Sequence, residues 1–105
     1  MNGLTEYQKG KLSRLSKQIS IVKEDVWDAF ETSIMSDAKS SVYRLWSDVK
    51  DDQDIPENIK KDLFSLLDAA RSFLIGEGTT SERSQKAHSK LADAERYLKD
   101  ILARD

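Results

Sequence analysis

At 105 residues the chain has material for one hydrophobic core and not for two, so a single domain over residues 1–105 is expected. Charged residues make up 34% of it and hydrophobic ones 38%, against an average charged share of about 25%, which suits a small bundle with one apolar seam per helix. A net charge of −2 and the absence of cysteine argue against a general nucleic-acid binder and exclude disulfides and thiolate metal sites.

The N-terminal stretch, Met1 to Glu6, lacks the apolar core of a secretory signal, and no run approaches the roughly 18 apolar residues of a membrane span. A cytoplasmic location without membrane association is therefore expected. Thr5 is the predicted cap of the first helix, with Glu6 favourably placed at the positive end of its dipole. Gly10 costs that helix about 1 kcal/mol relative to alanine. From there Leu12, Leu15, Ile19, Val22, Val26 and Ala29 recur in alternating steps of three and four, which puts all of them on one helix face. Phe30 and Ile34 extend that stripe. Lys9, Lys11, Arg14, Lys17 and Lys23 form a basic collar around the first half of the helix, and Asp25, Asp28 and Glu31 make its second half acidic.

No glycine or proline lies between Gly10 and Pro56, so one long helix is sterically permitted. The heptad nevertheless fails at Ser33, Ser36 and Ser40, and serine hydroxyls compete for backbone groups in favour of turns. A break near Ser33 to Asp37 is expected. Steps of four from Val26 through Phe30, Ile34 and Ala38 to Val42 keep the continuous alternative open, and a helix of that length would favour a homodimer.

Helix two, about Asp37 to Lys50, is predicted to bury Ala38, Val42, Leu45 and Val49, with Trp46 beside the stripe and Tyr43 at its edge. Helix three carries the clearest boundary signals. Asp54 and Glu57 fit a capping box, Pro56 suits the first turn, and Gly76 suits the C-terminal cap. Its predicted core face is Ile59, Leu63, Leu66, Ala70 and Phe73, widened by Leu67 and Leu74. Thr79 and Glu82 form a second capping box ahead of helix four, about Thr80 to Ala103, which turns Ala87, Leu91, Ala94, Leu98 and Ile101 inward. Tyr97 and Leu102 flank that stripe. No alternating stretch rich in β-branched residues occurs. The fold class is thus all-α: a small antiparallel bundle of four helices, or of three if the first two are continuous.

Few residue patterns point to chemistry. Arg83 and His88, as Arg-x4-His on a helix, resemble the active motif of HEPN-type ribonucleases, small helical proteins that often dimerise to pair two such motifs. The resemblance implies a histidine acting as acid or base on the 2′-hydroxyl and an arginine stabilising the phosphate. The stretch Arg44, Leu45, Trp46, followed by Ile55, Pro56, Ile59 and Leu63, is similar to the centre of FlaF-type flagellin-synthesis regulators. Its interval from tryptophan to proline is shorter than in that pattern, and the N-terminal third does not match.

Asp48, Asp51, Asp52, Asp54 and Glu57 supply carboxylates but neither the glycine nor the spacing of a calcium loop, so no metal is expected there. No phosphate-binding glycine loop or paired-histidine motif is present, and no cofactor is expected. The basic collar is too modest for nucleic acid to be an expected partner.

Trp27 stands about 100° around the helix from the first stripe, free to anchor a partner or to pack on a neighbouring helix. The leading expectation is therefore a non-enzymatic protein-protein interaction module, an adaptor, inhibitor or regulator. It would present Trp27, with Tyr43 and Trp46, to a protein partner. The alternative is a small dimeric ribonuclease using Arg83 and His88.

Overall fold

A computed structural model describes residues 3–104 and divides them into α1 (Glu6–Thr32), α2 (Ser36–Asp51), α3 (Glu57–Ile75) and α4 (Thr80–Arg104), with no strand among the described residues. Thr5 caps α1, and does so reciprocally. The Gln8 amide donates to the Thr5 hydroxyl at 3.1 Å, while the Thr5 amide donates to the Gln8 side-chain oxygen at 3.0 Å. Two orphan amides of the first turn are thereby satisfied.

The break between α1 and α2 is real, which rules out the three-helix alternative. Ser33 closes α1 in the left-handed region at φ 62°, its amide donating to the Ala29 carbonyl at 2.8 Å. The Thr32 hydroxyl donates back to Asp28 O at 2.8 Å and accepts the Ile34 amide at 3.3 Å. Ile34 is consequently not an extension of the core stripe: it sits in the turn, 61% exposed.

The start of α3 differs from expectation. Asp54 does not cap it. The helix begins at Glu57 behind Pro56, with no side-chain cap. A cap at Asp54 would need Ile55 as the first helical residue, and the residue before a proline is pushed out of the α region by the ring. Asp52 organises the turn instead, one carboxylate oxygen accepting the Asp54 amide at 2.7 Å and the Ile55 amide at 3.2 Å. Lys60 closes it by donating to the Asp52 carbonyl at 2.8 Å. Asp54, thus freed, accepts from the Tyr7 hydroxyl at 2.9 Å and from Lys11 at 3.2 Å, which ties the turn to the first turns of α1.

Along α3 the buried residues are Ile59, Leu63, Leu67, Ala70 and Leu74, with Leu66 and Phe73 half-buried, so the core face is rotated from the expected one. The other three stripes are buried where periodicity puts them. The Thr79 hydroxyl accepts the Glu82 amide at 3.2 Å and caps α4.

Each helix runs antiparallel to the next. α1 and α3 each pack against both α2 and α4, while the backbones of the diagonal pairs stay apart, so the cross-section is a square with its most extensive side between α1 and α4. The 27 residues of α1, at about 1.5 Å rise each, match the molecule's long dimension of 42 Å. One core fills the square, from Leu12 and Ile101 at one end to Ala38 and Leu74 at the other. Ser84 is fully buried among these apolar side chains, its hydroxyl 3.4 Å from the Met35 sulfur. No described helix is long and apolar enough to cross a membrane.

Candidate interaction surfaces

The square arrangement decides which of the singled-out residues meet. Trp27 lies on the α1/α4 seam. Its ring centroid is 4.8 Å from that of Phe30, one turn along α1, and 5.2 Å from that of His88 on α4, and 43% of the residue remains exposed. It therefore packs and shows a free edge at once. Further along the seam Lys23 and Glu95 pair at 2.8 Å, both largely shielded. That hydrogen bond holds the Glu95 carboxyl below its ordinary range against the opposing effect of burial. Burial, helped by the Lys23 charge and opposed by that of Glu95, pushes the His88 imidazole beside Trp27 below its ordinary value.

Tyr43 and Trp46 lie on the α2/α3 seam, on the opposite side of the square. The Trp46 indole N–H donates to Asp68 at 3.1 Å, and its ring lies 5.5 Å from Phe64 and 5.7 Å from Tyr43. Two cations cover these rings. The Arg71 guanidinium is 4.6 Å from the Trp46 centroid and 5.5 Å from that of Tyr43, and the Lys50 ammonium is 5.1 Å from Trp46. Trp46 is thereby half-buried as the joint between α2 and α3, whereas Tyr43 is 53% exposed. Arg71, Phe64 and Asp68 belong to this seam but give no signal in the sequence, because their significance depends on which helix faces α3. Trp27 is on the far side and shares no surface with this group.

Arg83 and His88 do not converge. Five residues along a helix correspond to about 140° of rotation, and α4 uses the two on different neighbours. The Arg83 guanidinium donates to the Phe73 carbonyl at 3.3 Å and to the Leu74 carbonyl. Those carbonyls belong to the last turn of α3, where Gly76 leaves in an extended conformation rather than a left-handed cap. Arg83 supplies the missing donors.

Several charged groups join elements. Lys11 draws Asp52 to 2.8 Å and Asp54 to 3.2 Å, so these acids converge on a lysine of the basic collar. Burial would raise Asp52, but the Lys11 hydrogen bond and the amides of Asp54 and Ile55 together hold it below its usual range, and hydrogen bonds to the Asp52 and Asp54 carboxylates raise Lys11. With Lys23 on Glu95 and Lys9 3.7 Å from Glu6, three of the five collar residues have an acidic partner. Among the described residues no three acidic or histidine side chains are grouped to hold a metal ion.

Comparison with family models, with curated proteins and with solved structures finds no match.

Proposed function

We propose that the chain is a small helical interaction module, an adaptor or regulator that binds protein partners and carries out no catalysis of its own. The observation that carries this reading is the presence of large aromatic side chains, Trp27 and Tyr43, exposed on two opposite seams. Tryptophan and tyrosine are favoured interface anchors, because each offers a large rigid contact area at low entropic cost. Trp27 packs on Phe30 and His88, and Tyr43 lies beside Arg71 and Trp46, contacts that restrict both rings before a partner arrives. Placement on opposite sides suits a bridge between two partners. The use of Arg83 as a helix cap and of His88 as a packing partner of Trp27 gives both residues structural roles and supports the non-catalytic reading over the ribonuclease one.

The test is quantitative co-purification of the tagged chain and its Trp27→Ala and Tyr43→Ala variants, each first shown to be folded by circular dichroism. A module of this kind loses a different partner with each variant and keeps the other. Equal recovery with all three chains, together with RNA cleavage abolished by His88→Ala, would reverse the conclusion.

A further inference from the structure

The α2/α3 seam carries more cations than anions. Lys39, Lys50, Lys60, Lys61 and Arg71 line it or its ends, on a chain whose net charge is negative. Against these stand two carboxylates, Asp68, which accepts the Trp46 indole N–H, and Glu57 among the lysines of the far end. At the Tyr43 end the surface dips into a cavity of about 160 Å3 lined by Lys39, Val42, Tyr43, Arg71, Leu74 and Ile75. Val42 and Leu74 floor it, and Ile75 stands at its rim 58% exposed.

Arg71 is the decisive group. Its guanidinium is held by the rings of Trp46 and Tyr43 and makes no hydrogen bond or ion pair among the described residues. A stacked guanidinium keeps its in-plane N–H groups for a planar, two-oxygen acceptor. The apolar cavity beside it has room for one aliphatic side chain, at about 30 Å3 for each water displaced.

We propose that this end of the seam binds an acidic, aliphatic segment of a protein partner: an aliphatic side chain enters the cavity while Arg71 and Lys39 take a carboxylate nearby on the same segment. The inference deepens the interaction-module reading and rests on it. A protein segment fits better than single-stranded nucleic acid. Base binding needs a row of open ring faces, whereas the Trp46 ring is covered by cations and a single exposed tyrosine remains. The acidic chain as a whole also repels a long polyanion, while a short segment senses only charges within a screening length of about 8–10 Å.

The experiment pans a random peptide library on the full folded chain. Selected peptides are then measured by calorimetry and mapped by backbone amide shifts. The expected ligands carry Asp or Glu within one helical turn of Leu, Ile or Val, and they shift Lys39, Val42, Tyr43, Leu74 and Ile75. Their binding falls about tenfold or more in Arg71→Gln, as loss of a charge-assisted hydrogen-bond pair implies. Ile75→Glu, an exposed change that spares the core, weakens them similarly, and rising salt weakens them further.

Peptides that bind Arg71→Gln equally well, or that map to Trp27, would overturn this site and leave the interaction module standing. An oligothymidylate or a phosphatidylserine vesicle that shifts the same residues more strongly than any peptide would overturn it in favour of a polyanion. Failure of every probe would remove both readings.

Discussion

Tyr97 shows how far one side chain depends on its surroundings. It is half-buried on α4, and its hydroxyl donates to Asp62 of α3 at 3.0 Å. Burial, with the Asp62 carboxylate, pushes the phenol up from 10.0 to about 12. The folded state therefore holds this proton more tightly than the unfolded chain does. The stability it contributes is complete below pH 10.0 and is lost as pH rises toward about 12. His88, Glu95 and Asp52 are all shifted the other way, so what they contribute is present above their ordinary values and is lost as pH falls through the lower folded ones. Urea midpoints measured across pH should form a plateau. Its acid shoulder begins just below 6.5, the ordinary value for His88, and the alkaline fall follows phenolate absorbance. Tyr97→Phe should remove the alkaline fall that belongs to this residue.

Among the elements, the sharp end of α1 is the most telling. Ser33 adopts a left-handed conformation that favours glycine, at a cost to other residues of about 1–2 kcal/mol. Ser33→Gly relieves that cost but adds freedom to the unfolded chain, so a net gain of up to about 1 kcal/mol is expected in equilibrium unfolding. Ser33→Val should destabilise, because a β-branched residue tolerates the conformation least.

The break was legible in the sequence from failing periodicity and a cluster of serines, and the stripes of α1, α2 and α4 from spacing alone. Periodicity did less well on α3. Leu66 and Leu67, like Phe73 and Leu74, are adjacent apolar residues, so spacing cannot choose between two faces that differ by one position. The Asp54 box matched a local pattern but not the restriction that Pro56 places on Ile55. Ser84 was missed because its burial comes from close helix approach, which a polar residue does not advertise. Of the candidate surfaces, Trp27, Tyr43 and Trp46 were recognisable as aromatic residues off the main stripes. Their division between opposite seams, and the part played by Arg71, depend on the order of helices around the square.

The whole molecule is tied together at one end by the first turn of α4. Arg83 there grips the last carbonyls of α3, its amide donates to Thr79 O at 3.1 Å, and Ser84 beside it packs against Met35 at the start of α2. Helix ends ordinarily fray, and their amides exchange with solvent through small local openings. This one cannot open without releasing the end of α3 and uncovering Ser84. Deuterium exchange at Ser84 and Ala87 should therefore approach the slow rate of the core. The first turn of α1, where Tyr7 is 60% exposed, should exchange far sooner. Arg83→Met keeps the apolar stem but not the donors, and should return the start of α4 to early exchange while leaving Leu91 and Leu98 protected.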